Sequence, residues 1–165
     1  MDTIEELLEE QLKDLYSAET QLTKAMPKVI KKASNPALKK AFESHMNETL
    51  NQITRLQTIG DEMDIKLTGK TCAAMKGLIE ECKEVLEEDG EEAIIDIALV
   101  AAVQRVEHYE IAGYGTVRAL AEHLGHAKVA KLLGDTLKEE SAADEKLTAV
   151  TKKNLLPEAM QMSAK

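Results

Sequence analysis

Apolar side chains recur every three or four positions along most of the chain, and this spacing is typical of α-helices with one buried face. The first segment shows the pattern at Leu8, Leu12, Leu15, Leu22 and Met26. Four further segments repeat it, and groups of turn residues separate them. The pattern predicts five helices, which cover approximately residues 3–32, 36–63, 71–88, 91–124 and 126–153.

Two of the breaks between the predicted helices are very short. Asn35 can cap the second helix and Pro36 suits its first position, while Gly125 ends the fourth helix. Helices joined by so few residues lie antiparallel, whereas the longer stretch between the second and fourth helices can travel back along a bundle. The sequence therefore predicts an all-α fold, a ferritin-like four-helix bundle with one long crossover that contains a short fifth helix.

The predicted fold occupies one domain over residues 1–165, with a short C-terminal tail after residue 153. Pro157 predicts that the helix does not simply continue into this tail, because proline lacks the N–H group that a helix interior requires. Only 2% of the residues are aromatic, which disfavours a β-sandwich or a β-barrel.

Charge and composition narrow the classes of partner. The formal net charge is −9 and no basic stripe is present, so nucleic-acid binding is not expected. No apolar run reaches the ~20 residues that cross a bilayer, and the chain does not open with a signal-peptide pattern. Cys72 and Cys82 have neither zinc-site spacing nor the pattern of a disulfide framework. We therefore expect a cytoplasmic protein without a membrane partner.

Each of the four long helices carries an ionisable residue within its apolar stripe. Glu19, His45, Glu110 and Glu140 occupy these positions in helices one, two, four and five. At ~1.5 Å per residue, the three glutamates lie about 20–23 Å from the adjacent tight turns. A lone glutamate on a helix is usually solvated, and burying an unpaired carboxylate is costly. His45 lies at ~16 Å on the same measure, so the four residues can form one shared layer across the bundle.

The layer predicts a metal site. Two divalent cations would neutralise most of its charge, and carboxylate oxygen with one imidazole nitrogen favours iron or manganese over zinc. Glu139 is an alternative to Glu140, since a weak internal repeat with an offset of 91 residues pairs it with Glu48. Asp144 lies ~6 Å beyond the layer, so an outer position fits it nearly as well. The predicted ligands are Glu19, His45, Glu48, Glu107, Glu110, Glu140 and Asp144.

Three segments carry a resemblance to a known family, at residues 15–19, 106–115 and 139–147. Their sequences, LYSAE, VEHYEIAGYG and EESAADEKL, resemble the bacterial YciE/YciF family, and the similarity extends over about residues 3–153. The resemblance implies a ferritin-like, stress-associated protein that is related in architecture to rubrerythrin. It further implies a metal site near the middle of the bundle, a ferroxidase assignment and a homodimer.

The sequence departs from the usual di-iron pattern of two Glu-x-x-His pairs. Helix two carries the reversed order, His45-x-x-Glu48, and no histidine accompanies Glu140. The leading hypothesis is a dinuclear iron or manganese centre, with Glu48 and Glu140 as bridging ligands, that reacts Fe(II) with O₂ or peroxide. One alternative is a non-enzymatic helical stress or scaffold protein with a vestigial site. A less favoured alternative is a manganese-type catalase.

Overall fold

The computed structural model describes residues 1–163, and every regular element within that range is a helix. The helices are α1 (Ile4–Lys32), α2 (Pro36–Met63), α3 (Ala73–Glu87), α4 (Glu92–His123), α5 (Ala127–Val150) and α6 (Leu156–Ser163), with one π-helical turn at Thr151–Leu155. Helices α1 to α5 confirm the predicted all-α fold. None of the helices in the described range is both long and apolar enough to span a bilayer.

Helices α1, α2, α5 and α4 form the four sides of the bundle, in that order around its axis, and α3 packs outside against α1 and α4. The paths of α1 and α4 are antiparallel. Asp96, near the start of α4, contacts Ser34 just beyond the end of α1, whereas Tyr114, nearer the end of α4, contacts Glu19. The two tight turns therefore lie at opposite ends of the bundle, and the crossover connects the two helical hairpins.

Two hydrophobic clusters fill the bundle, and a polar layer at mid-height separates them. Phe42 belongs to the first cluster and Leu12 to the second, and each of the four long helices contributes to both. Burial of these apolar stripes is the main term that holds the helices together. Gly113 brings α4 close to α1, because a Cβ atom there would lie 2.7 Å from the Leu15 side chain.

The turn between α1 and α2 is fixed by side-chain oxygens. As predicted, Asn35 caps α2, since its Oδ1 accepts hydrogen bonds from the backbone N–H groups of Ala37 and Leu38 at 3.0 and 3.3 Å. The buried carboxylate of Asp96 accepts the N–H groups of Ser34 and Asn35 at 2.9 and 2.7 Å. Asp96 thus ties the first hairpin to the start of α4.

The C-terminal segment differs from the predicted tail. The π-helical turn is followed directly by α6, which begins at Leu156, so Pro157 lies in the first turn of a new helix. A proline is tolerated there, because the first N–H groups of a helix have no intrahelical partner. Leu155 and Ala159 are buried. The predicted interruption of helical structure is therefore wrong up to residue 163, and residues 164–165 lie outside the described range.

Asp96→Asn should lower the free energy of unfolding by about 2 kcal/mol, because asparagine keeps only one of the two acceptor oxygens that the turn uses. Urea unfolding followed by far-ultraviolet circular dichroism measures the change. Asp89→Asn, at an exposed position before α4, is the matched control and should shift stability by less than about 0.5 kcal/mol. Equal unfolding midpoints for Asp96→Asn and the wild type would contradict this role of Asp96.

Candidate metal centre

The polar layer is built by all four long helices. Glu19 comes from α1, His45 from α2, Glu107 and Glu110 from α4, and Glu140 from α5, and each is at most 3% exposed. The spacing of three residues between the two α4 glutamates places both on one face of that helix. His45, Glu107, Glu110 and Glu140 each offer one ligand atom, and these four atoms lie within 4.8 Å of one another.

The layer holds unpaired polar atoms. Within the part of the chain that the structure describes, nine buried side-chain nitrogen and oxygen atoms have no hydrogen-bond partner. Buried polar groups are nearly always satisfied, so such a concentration requires an explanation. The nine atoms are Glu19 Oε2, His45 Nδ1 and Nε2, Gln52 Oε1, Glu107 Oε1 and Oε2, Glu110 Oε1 and Oε2, and Glu140 Oε2.

Burial and mutual repulsion shift the acidities of these glutamates. Burial, and then the nearby Glu140 carboxylate, raises the pKa of Glu19 well above the ordinary value of 4.5. The pKa values of Glu107 and Glu110 are also raised well above that value, mainly by burial and further by neighbouring carboxylates. Without a cation, protons would have to neutralise this layer. A divalent cation can replace those protons, because it satisfies several carboxylates at once.

His45 is the one member of the group of four that offers a nitrogen atom as a possible ligand. Its Nε2 atom lies 3.2 Å from Glu107 Oε1, but the two atoms do not have the geometry of a hydrogen bond. Burial lowers the pKa of His45 below its ordinary value of 6.5, even though the nearby Glu140 and Glu48 act in the opposite direction. A neutral imidazole is the form that binds a metal ion.

Two hydrogen-bond donors fix the orientation of layer carboxylates. Tyr114 donates from its hydroxyl group to Glu19 Oε1 at 2.5 Å. Gln52 donates from Nε2 to Glu140 Oε1 and also, at 3.2 Å, to Glu139 Oε2. Each donor occupies one oxygen of its layer carboxylate, and the second oxygen of that carboxylate has no partner among the described residues.

Sequence reasoning missed Gln52 and its support. Arg55 holds Glu139 through two nitrogen–oxygen contacts of 2.9 Å, and Glu139 in turn accepts a hydrogen bond from Gln52. The sequence feature that could have identified Gln52 is its position two turns after His45, on the apolar face of α2. In the structure Gln52 is fully buried. Glu140, rather than Glu139, faces the layer.

Three predicted ligands lie outside the group of four: Glu19, which is still buried in the layer, and Glu48 and Asp144. Glu48 is half-buried on α2, where the Ser44 hydroxyl lies 3.5 Å from its Oε1. Asp144 accepts a hydrogen bond from Gln104 at 2.8 Å and lies 3.4 Å from His108 Nε2. Metal ligation by the predicted residues stays a prediction.

The sequence assigns the chain to a family. Residues 3–160 match the family described as "Domain of unknown function (DUF892)". The chain belongs to this family. The match spans every long helix of the bundle, and therefore all of the residues in the polar layer.

Related proteins share both sequence and fold with this DUF892 chain. "Protein YciF" of Escherichia coli (strain K12) is 49% identical over 156 residues, which are 94% of each chain. The crystal structure of the E. coli stress protein YciF superposes with a TM-score of 0.90 at 48% identity, covering 93% of this chain and 98% of that one. The resemblance to the YciE/YciF family is thereby confirmed.

Two other solved structures share the fold. YcfI from Rhodopseudomonas palustris, described provisionally as a structural protein, has a TM-score of 0.86 and 44% identity, covering 90% of this chain and 94% of that one. A protein from Xanthomonas campestris pv. campestris has a TM-score of 0.78 at 21% identity, covering 98% and 99% of the two chains. The last likeness concerns the fold alone.

The residues of the layer fit a divalent metal cation. Their donors are carboxylate oxygens and one imidazole nitrogen, which is a set that hard and intermediate divalent metals accept. The unpartnered atoms are the ones that a cation would satisfy, and the hydrogen bonds to Glu19 and Glu140 hold these two carboxylates in place. Such support from neighbouring residues is typical of metal sites.

The stability of the metal-free protein should fall as the pH rises above about 4.5. In that range the folded chain keeps protons on Glu19, Glu107 and Glu110 that the unfolded chain has lost, so deprotonation favours unfolding. The lowered pKa of His45 makes the stability rise with pH, but only up to about pH 6.5. The three glutamates outweigh this single group. Chemical denaturation with a chelator present, between about pH 5 and 8, measures the slope.

The triple variant Glu19→Gln, Glu107→Gln, Glu110→Gln should flatten that slope, because glutamine does not titrate. Glu43→Gln, on the exposed face of α2, is the control and should keep the wild-type slope. Stability of the metal-free wild type that rises throughout this pH range would contradict the raised carboxyl pKa values.

Proposed function

We propose that this protein is a ferritin-like carboxylate protein that binds two divalent cations, iron or manganese, in the polar layer. We further propose that it oxidises Fe(II) with O₂ or peroxide. The observation that carries the proposal is the group of nine unpartnered buried atoms on six neighbouring residues. Such a group is costly without a ligand and is suited to a cation.

Charge balance supports two cations rather than one. Glu19, Glu107, Glu110 and Glu140 together carry four negative charges when ionised, and two divalent cations neutralise four. Glu19 raises the pKa of Glu110, whereas the contact with Glu110 lowers the pKa of Glu19, so these two carboxylates are close neighbours. His45, Glu107, Glu110 and Glu140 would hold one cation, and the unpartnered Oε2 of Glu19 would be available to a second.

A bound redox-active metal would supply the electron-transfer chemistry that amino-acid side chains lack. The protein's own residues would bind and orient it. Tyr114 and Gln52 hold one oxygen each of Glu19 and Glu140, which leaves the other oxygen available as a ligand. The two hydrophobic clusters above and below the layer exclude bulk water, and this strengthens every charge interaction within the layer.

The physiological setting is proposed from the relatives. The E. coli protein YciF is described as a stress protein, which supports a role of this chain in a cytoplasmic response to stress. The family resemblance also supports a homodimer. A non-enzymatic structural role is the second candidate, because YcfI, which is 44% identical, carries that description.

Protein purified without chelators from cells supplied with iron and manganese should contain about two metal ions per chain, and Fe(II) added in air should be oxidised faster than in buffer alone. Glu110→Gln should abolish most of both properties, because it removes an unpartnered carboxylate from the layer. Elemental analysis and the near-ultraviolet absorbance of Fe(III) give the two readouts. Wild-type protein that takes up no metal after anaerobic Fe(II) loading would favour the structural role.

Glu43→Gln is the matched control for this experiment. It removes an equal charge from an exposed position of α2, so metal content and Fe(II) oxidation should match those of the wild type. Equal losses in Glu43→Gln and Glu110→Gln would show that overall charge, rather than the layer, controls metal uptake.

Oxygen release from peroxide without an added reductant would identify the catalase alternative.

Tyr114→Phe should weaken metal binding about tenfold while preserving the fold, because it removes the hydroxyl that orients Glu19. Competition of Mn(II) between the protein and a chelator measures the affinity. Tyr16→Phe is the matched control, since Tyr16 only accepts a 3.2 Å hydrogen bond from Gln57. Unchanged affinity in Tyr114→Phe would remove Glu19 from the resident ligand set.

A further inference from the structure

A cavity of about 250 Å³ lies between α2 and α5, beside the polar layer. Its volume corresponds to roughly eight water molecules at about 30 Å³ each, so a hydrated cation fits inside. Small side chains leave this space open. The cavity is lined by Ala41, Ala142, Ala143, His45, Glu48 and Lys146, together with a leucine.

His45 belongs both to this cavity and to the layer. It lines the cavity wall and is one of the four residues whose ligand atoms lie within 4.8 Å of one another. The side chain is 3% exposed, and neither ring nitrogen has a hydrogen-bond partner among the described residues. His45 therefore connects a space that reaches solvent to the buried carboxylates.

Glu48 stands one helical turn after His45, on the same side of α2. Its carboxylate is half-buried, lines the cavity and is in ion-pair contact with none of the described residues. Among the described residues, the carboxylate accepts one hydrogen bond, the 3.5 Å contact from the Ser44 hydroxyl. Lys146, exposed on α5, carries the opposing charge at the rim of the cavity. Glu48 is thus a half-buried carboxylate that can still bind a cation, on the wall of the same cavity as His45.

We propose that Glu48, which lies outside the resident ligand set, takes up hydrated divalent cations in this cavity, and that His45, which belongs to both the cavity and the ligand set, passes each cation to the layer. The inference rests on the proposed function. Glu48 binds the arriving cation by charge, and His45 remains a ligand while Glu107, Glu110 and Glu140 replace the water molecules. The position of Glu48 outside the group of four explains why it supports uptake rather than permanent binding.

Stopped-flow mixing of the metal-free full-length protein with Co(II), followed by d–d absorption, tests the proposal without any redox turnover. Glu48→Gln should slow binding about tenfold, the scale on which local charge alters association rates. The final absorbance and the number of ions bound should not change. Lys146→Gln should speed binding, because it removes the repelling charge, and Glu43→Gln should match the wild type.

Ala142→Leu provides a second test that leaves all charges intact. A leucine at this position narrows the cavity, so Co(II) should bind several-fold more slowly with unchanged stoichiometry. Ala149→Leu, an exposed position on the same helix outside the cavity, is the control and should not alter the rate. Slower binding in both leucine variants would point to a general effect on α5 and contradict the route.

The possible failures are distinguishable. If Glu48→Gln binds Co(II) at the wild-type rate, the uptake site is overturned. If Glu48→Gln loses one ion per chain at equilibrium, Glu48 is a resident ligand and the uptake role is again overturned, while the proposed function stands. If the wild type binds no Co(II) at all, both the proposed function and this inference fail.

Discussion

The structure depends on a layer of carboxylates that is closed off from water. Glu19, Glu107, Glu110 and Glu140 are fully buried at one height, where each ionised group raises the free energy of the others. The layer interrupts the hydrophobic core, so it weakens the bundle unless protons or cations neutralise it. A protein shaped for stability alone would place apolar side chains there.

The rest of the bundle holds this layer together. The close contact of α1 and α4 at Gly113 brings Glu19 within reach of Tyr114, and the pair of Gln52 and Arg55 steadies the opposite side. Tight turns at opposite ends fix the heights of the helices, so the ionisable positions meet in mid-bundle. The donors on the two sides differ: a tyrosine hydroxyl donates to the carboxylate of α1, whereas a glutamine amide donates to the carboxylate of α5.

Sequence reasoning predicted the fold and much of the layer, because the apolar stripes define which face of each helix is buried. Glu19 and Glu110 stand in mid-stripe, and the structure places both in the layer. Glu48 is a different case: three residues after His45 it lies at the edge of the stripe, where a small rotation of α2 decides between core and cavity. Gln52 was missed because an amide in a stripe has no distinctive spacing, and its partner is 88 positions away in the chain.

The division of the core into two clusters has a consequence for cooperativity. A bundle cut across its middle by charge could melt as two halves, each with its own apolar contacts. Here α1, α2, α4 and α5 all run without interruption through both clusters, so each helix transmits the loss of one cluster to the other. If the polar layer were nevertheless the weakest part of the bundle, hydrogen exchange in the metal-free protein would show it. The amides at mid-helix would then open together, before the amides on either side of them.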